Sequence, residues 1–121
     1  MLDHVTIKVS DYEKLRIFYE KTLKHLGLRV VLEGEGFCGF GKKGPEFEIA
    51  QSEDQQATSH PVHVAFHAES EDEVRAFYKA ALKAGAKDNG APGLRPEYEA
   101  YYYAAFILDH DGNNIEACIW K

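Results

Sequence analysis

The sequence predicts an α+β fold built from two βαβββ modules, and three observations support this. The first half of the chain repeats in the second: at an offset of 59 residues His4 falls on His63, and farther on, at an offset of 68, Glu48 falls on Glu116. Both halves begin with an alternating strand pattern and continue into an amphipathic helix pattern. Short strand patterns between Gly-rich turns follow in each half. A period this long that occurs only twice indicates an internal duplication.

The first module, about residues 1–51, is predicted to run strand, helix and three short strands. An alternating strand opens the module, and Asp11 and Gly27 are suitable caps for the helix that follows. The apolar stripe of this helix consists of Leu15, Phe18, Tyr19, Thr22, Leu23 and Leu26. Gly-rich turns then separate three predicted strands, Leu28–Glu33, Gly36–Lys42 and Pro45–Gln51.

The second module, about residues 61–121, repeats this order after a polar, aperiodic linker over residues 52–60. Its strands are predicted near Ala86, over Tyr101–Asp109 and over Asn114–Trp120. The Gly/Pro-rich segment Asp88–Pro96 interrupts the repeat and is predicted to be an inserted loop. Helices on one face of mostly antiparallel strands define an α+β architecture, here within a single domain of 121 residues.

Composition excludes several classes of protein. Fourteen basic and twenty acidic residues leave a net charge of −6, without the basic stripe of a nucleic-acid binder. No apolar run approaches the roughly 18 residues of a membrane span, and the first residues lack a signal-peptide pattern. Cys38 and Cys118 lie far apart and outside any CxxC spacing. Reduced thiols and a cytoplasmic location are therefore predicted.

Strand alternation gathers His and Glu side chains on the strand faces that point away from the helices. His4 has this orientation in the first strand, and His63 and His67 have it in the fifth. Glu48 in the fourth strand and Glu116 in the last are oriented in the same way. If the two curved sheets meet, this face lines a cavity. Because imidazole nitrogen and carboxylate oxygen are ligands of Zn, Fe, Mn and Ni, the pattern predicts a divalent metal of undetermined identity.

Four segments carry a resemblance to a known family: LDHVTIKVSD, FYEKTLKHLGL, HVAFHAES and ILDHDGNNIEACIW. Together they resemble the vicinal oxygen chelate superfamily, which includes glyoxalase I, bleomycin resistance proteins, fosfomycin-modifying enzymes and extradiol dioxygenases. The last segment resembles the D-P-D-G-N-x-I-E signature of that family, with His110 where proline is usual. The resemblance covers the whole chain and implies that curved sheets enclose a cavity.

The resemblance also implies a metal site. In metal-dependent members the ligands come from the first and last strands of each module, which places them here at His4, His63 and Glu116, with Glu48 added by repeat symmetry. Lyase-, isomerase- or dioxygenase-type chemistry on a small oxygenated substrate is then expected, through a metal-chelated enolate or alkoxide. Glu116 or Glu48 is the candidate base. The alternative is a metal-free protein that sequesters a toxic or antibiotic compound in the same cavity.

Substrate contacts are expected from the segment Asp88–Tyr98 and from polar residues near the cavity. The candidates are Arg95, Asn89, His67, Tyr101 and Tyr103. Three roles are open for Arg95: it binds a substrate carboxylate or phosphate, it forms an ion pair with the nearby Glu97 or Glu99, or it caps a turn. A homodimer is expected, because a domain this small leaves sheet edges uncovered and family members usually pair. Whether each cavity uses one chain or two is open.

Overall fold

The computed structural model describes residues 1–56 and 60–120 and confirms the two βαβββ modules. The first module contains β1 (Val5–Val9), α1 (Tyr12–Leu23), a 3-10 turn (Lys24–Leu26), β2 (Arg29–Gly34), β3 (Phe37–Gly41) and β4 (Phe47–Gln51). The second contains β5 (His63–His67), α2 (Glu71–Lys83), β6 (Lys87–Leu94), β7 (Tyr102–Leu108) and β8 (Asn114–Trp120). Within the predicted linker, residues 57–59 lie outside the described residues. In the part of the chain that is described, no helix is long and apolar enough to cross a membrane.

Each module forms one four-stranded sheet. The strand orders are β1-β4-β3-β2 and β5-β8-β7-β6, so the first strand of each module lies beside its last. These two neighbours pair in parallel, and the other pairs are antiparallel. Asp11 caps α1 as predicted, because its side chain accepts a hydrogen bond from Lys14 N, and the Ser70 side chain caps α2 by accepting one from Glu73 N.

The prediction of an inserted loop at Asp88–Pro96 is wrong, because most of this segment is strand β6. It pairs with β7 through two register shifts, between Asp88 and Gly90 and between Gly90 and Gly93. Bulges of this kind place extra residues in a strand without ending the pairing. Gly90 has a φ of 150°, which a side chain would disfavour. The glycines that looked like turn residues therefore permit a bulged strand.

The main hydrophobic core of the described residues joins the two modules. It contains the inward-facing residues of β1, β4, β7 and β8 together with the apolar faces of both helices, which contact each other. Phe47 and Phe66, from different modules, have ring centroids 5.2 Å apart. The helix-covered faces of both sheets thus share the interior, and the polar faces lie on the outside. The expectation that the polar faces enclose a cavity together is not met within the described part of one chain.

A buried polar contact fixes the modules to each other. The Tyr19 hydroxyl of α1 donates to the Asp109 carboxylate of module 2 at 2.5 Å, and these residues are 1% and 5% exposed. Asp109 also accepts from the backbone and side-chain nitrogens of Asn113 and from the backbone of Asp111. Burial, followed by the Asp109 charge, raises the pKa of Tyr19 well above its ordinary value, so the hydroxyl remains a donor. The carboxylate is buried with its hydrogen bonds satisfied.

Replacing Tyr19 with Phe removes one donor from this buried carboxylate. We expect Tyr19→Phe to lower the free energy of unfolding by about 1.5–3 kcal/mol, the range for hydrogen bonds to charged groups. The matched control is Tyr78→Phe, which removes an exposed Tyr–Asp hydrogen bond of 2.9 Å to Asp88. It is expected to change stability by less than about 0.5 kcal/mol. Urea denaturation at one protein concentration checks both, and equal losses in the two variants would contradict the prediction.

Candidate functional site

Glu116 occupies the centre of the polar face of module 2. It lies on β8 between Ala65 of β5 and Phe106 of β7. Its Oε1 is 2.7 Å from His63 Nε2, and its Oε2 accepts a hydrogen bond of 2.5 Å from the Tyr102 hydroxyl. The Glu116 side chain is 3% exposed whereas the His63 side chain is 52% exposed. A buried carboxylate with both oxygens engaged therefore lies against an imidazole that is open to solvent.

Apolar neighbours surround this carboxylate. A small cluster separate from the main core contains Ala104, Phe106 and Cys118, with Tyr102 packed against it. Burial, with smaller contributions from Cys118 and Glu116, raises the pKa of Tyr102 well above its ordinary value. Burial also raises the pKa of the Cys118 thiol. Tyr102 thus stays protonated and donates to Glu116.

The equivalent residues of module 1 are arranged differently. Glu48 accepts a hydrogen bond of 3.0 Å from the Thr6 hydroxyl, and His4 Nδ1 lies 2.7 Å from the Asp3 carboxylate. Thr6 corresponds in the repeat to Ala65, which has no hydroxyl. A hydrogen bond to Asp3, then the Glu48 charge, raise the pKa of His4. The His4 side chain is 45% exposed.

The four candidate metal ligands are thus divided between two faces. His63 and Glu116 are brought together on module 2, while His4 and Glu48 lie on the polar face of module 1. Among the described residues, no group of three or more His, Cys, Asp or Glu side chains is placed to hold a metal ion. His67, at the far end of β5, lines a cleft of about 270 Å³ that also includes His4. One chain therefore presents two incomplete sets of candidate ligands.

The candidate substrate-binding residues do not lie together either. Arg95 lies beside the polar face of module 2, with its guanidinium carbon 5.4 Å from the Phe106 ring centroid. Asn89 is exposed on β6. The Tyr103 hydroxyl accepts a hydrogen bond of 3.0 Å from Arg75, and the Tyr101 hydroxyl donates to Glu71, so both are directed to α2 and away from Glu116.

Sequence reasoning missed Tyr102. Three consecutive tyrosines do not reveal which of them faces the helix. The register between β7 and β8 identifies the tyrosine on the polar face. The two strands are antiparallel, and the register that places Phe106 opposite Glu116 also places Tyr102 opposite Trp120. Because Trp120 shares the parity of Glu116, Tyr102 belongs to the polar face.

Comparison with known proteins agrees with this architecture. A family model described as Glyoxalase/Bleomycin resistance protein/Dioxygenase superfamily matches residues 1–117. The chain belongs to this superfamily. None of the curated proteins matches the sequence.

Solved structures show the same fold. A glyoxalase/bleomycin resistance protein from Albidiferax ferrireducens superimposes with a TM-score of 0.86 at 27% identity, covering 98% of both chains. A glyoxalase-related enzyme from Fulvimarina pelagi gives 0.75 at 17% identity, covering 98% of this chain and 86% of the other. The fosfomycin resistance protein FosX from Mesorhizobium loti gives 0.72 at 20% identity, covering 100% and 92%.

The contacts of His4 lead to a prediction about pH. In metal-free protein the His4 imidazole is expected to titrate above its ordinary value of 6.5. Its protonation then stabilises the fold at low pH, and this contribution is lost as the pH rises through the folded-state pKa. An NMR titration should show a lowered pKa in Asp3→Asn and a smaller decrease in Glu48→Gln. Glu13→Gln, on α1, is the control, and an unchanged His4 pKa in all three variants would contradict the assignment.

Proposed function

We propose that the chain is a metal-dependent enzyme that acts on a small oxygenated substrate, with lyase-, isomerase- or dioxygenase-type chemistry. The observation that supports this is the His63–Glu116 pair, in which an accessible imidazole nitrogen lies 2.7 Å from a buried carboxylate oxygen. These two donor types suit a divalent transition metal. They supply half of a site, and His4, with Glu48 near it, would supply the other half.

A bound divalent ion would act as a Lewis acid toward two neighbouring substrate oxygens. His63 would bind it through Nε2, the nitrogen that faces Glu116. Tyr102 holds Oε2 of Glu116 by a hydrogen bond, which leaves Oε1 as the oxygen directed toward His63. A hydrogen-bonded neighbour that orients a ligand in this way strengthens metal sites. Tyr102 is thus a positioning residue in this proposal.

The chain also contains candidate bases. Glu116 is the first candidate, because its buried carboxylate directs Oε1 toward His63, beside the proposed metal position. Glu48, held by Thr6 on the other module, is the second candidate. The apolar cluster around Phe106 would limit the access of water to the reacting atoms.

We further propose that a complete site forms between two chains. The polar faces of the two modules lie on the outside of one chain, and over the described residues no three of the candidate ligands are grouped to hold a metal ion. A second copy that places its module 1 against module 2 of the first would bring His4 to His63 and Glu116. A two-fold arrangement would form two such sites and cover the exposed sheet faces.

Metal content tests the first part of the proposal. Tag-free protein purified without chelators is expected to contain close to one divalent transition metal per chain by elemental analysis. His63→Ala and Glu116→Gln should weaken metal binding by about 100-fold or more, because each removes a ligand. His25→Ala, in the 3-10 turn, is the control and should keep its metal. A wild-type chain that does not bind Ni, Zn, Mn or Fe tightly would favour the metal-free sequestering function instead.

Mixing two variants tests the second part. His4→Ala and His63→Ala are each expected to lack metal, whereas subunit exchange between them would create heterodimers with one intact site and one doubly altered site. With random exchange, about a quarter of wild-type metal binding should return. Sites contained within one chain would recover nothing. Light scattering should report a dimer, and a monomer at micromolar concentration would contradict the shared site.

A further inference from the structure

We infer that Arg95 is a preformed anion-binding group and that the substrate is an organic oxyanion, a carboxylate or a phosphate with an apolar body. This inference deepens the proposed function by assigning it a substrate class. The Arg95 guanidinium carbon lies 5.4 Å from the centroid of the Phe106 ring, and the His63 ring centroid lies 6.1 Å from the same ring. The guanidinium and the proposed metal ligand therefore share one aromatic neighbour.

The backbone fixes the location of Arg95. Its N–H donates to the Tyr102 carbonyl at 2.6 Å, and its carbonyl accepts from Tyr98 N at 3.0 Å, so the residue is tied to β7 and to the turn that follows β6. The side chain is held as well. Nη2 donates to the Ala91 carbonyl at 2.7 Å, and Nη1 donates to the Leu94 carbonyl at 3.4 Å. The guanidinium is thus oriented before any ligand arrives.

These contacts orient the charge without neutralising it. Arg16 forms ion pairs with Glu20 and Glu33, and Arg75 pairs with Glu71 and Asp72. Over residues 1–56 and 60–120, no carboxylate lies within ion-pair distance of Arg95. The neighbouring acids Glu97 and Glu99 are among those that do not contact it. A guanidinium has five N–H donors, and the two carbonyls take two of them. The remaining donors and the full charge are available to an oxyanion.

The bulges of β6 provide the space for this group. A Cβ atom at Gly90 would lie 3.2 Å from Nη2, and one at Gly93 would lie 3.1 Å from Nη1. Because both positions are glycine, the flat guanidinium fits over the Phe106 ring and against the strand. Side chains at either position would crowd the group. The two glycines of the irregular strand therefore leave space for the guanidinium. A regular edge strand has no need of such a space.

The surroundings suit an apolar ligand body. Tyr98 and Trp120 are 60% and 56% exposed, and the Tyr98 ring packs edge-on against Tyr102 at 5.4 Å. Trp120 pairs with Tyr102 across the sheet. Exposed aromatic side chains beside an unneutralised cation match a ligand that has a flat apolar part and an acidic group. The chain has a net charge of −6, which repels anions in general. The unpaired charge of Arg95 makes this face a local site where an anion is attracted.

The test uses metal-free, full-length protein and three probes: benzoate, inorganic phosphate and the neutral analogue benzamide. NMR titration is expected to show benzoate or phosphate shifting the Phe106 and His63 signals, and benzamide binding at least about tenfold more weakly than benzoate. Binding of benzoate alone identifies a carboxylate substrate, and binding of phosphate alone identifies a phosphate substrate. Absence of binding by both anions would overturn the inference.

Variants separate recognition from structure. Arg95→Gln keeps a planar donor for the Ala91 carbonyl but removes the charge, and it is expected to weaken the anion about tenfold or more. Arg95→Lys should keep part of the affinity, because it retains the charge without the fork. Arg29→Gln, an exposed arginine of β2, is the control. Unchanged anion affinity together with a lower melting temperature in Arg95→Gln would show that Arg95 only supports β6. If Arg95→Gln fails to fold, Arg95→Lys distinguishes the two roles. A reduced anion affinity in Arg95→Lys supports anion recognition, because a purely structural role for Arg95 predicts an unchanged affinity.

Metal measurements on the same samples keep the two proposals distinct. Arg95→Gln is expected to bind metal with the wild-type affinity, because Arg95 contacts neither His63 nor Glu116. Wild-type protein that binds metal but no anion would overturn the substrate class alone. Wild-type protein that binds an anion through Arg95 but no metal would overturn the enzyme proposal and leave the anion site in place.

Discussion

The shared hydrophobic core is the constraint on which the rest of this structure depends. Both helices bury their apolar faces in it together with the inner faces of both sheets, so each sheet has one buried face and one outer face. The Tyr19–Asp109 contact holds this orientation, because a buried carboxylate must keep its donors. The His and Glu side chains of the strands then lie on the outer face of each sheet, where Glu116 is still buried by its neighbours. The divided ligand set follows directly, and with it the proposal that a second chain completes the site.

Duplication produced two similar backbones whose outer faces differ in detail. Glu48 pairs across the sheet with Gly39, whereas Glu116 pairs with Phe106. The ring, together with Tyr102, places Glu116 in apolar surroundings, while Glu48 remains partly exposed beside Thr6. Module 2 therefore holds the buried carboxylate, the aromatic side chains and the cation, and module 1 contributes an accessible histidine. The two halves of the repeat supply different parts of the proposed chemistry.

Strand β6 connects the fold to the proposed anion site at Arg95. Its extra residues are absorbed as bulges, and the glycines that permit them also leave room for the Arg95 side chain. The carbonyl of Ala91 accepts from that guanidinium at 2.7 Å. Irregular strands next to sites commonly redirect a side chain in this way. The same irregularity explains why the repeat is interrupted at this point of the sequence.

Local sequence patterns were sufficient to determine the duplication, the element order, the N-terminal helix caps and the strand faces of His63 and Glu116, whereas Gly27 follows the 3-10 turn instead of ending α1. These features depend on periods of 2 and 3.6 residues and on short-range hydrogen bonds, all of which are visible in one chain. The tertiary structure alone decided that the polar faces lie apart, that Tyr102 rather than Tyr101 or Tyr103 contacts Glu116, and that residues 88–94 belong to strand β6. Each of these depends on which apolar surfaces bury one another and on the register between strands. Those are long-range choices, because burial energy depends on area and packing between distant segments, and no local pattern encodes them.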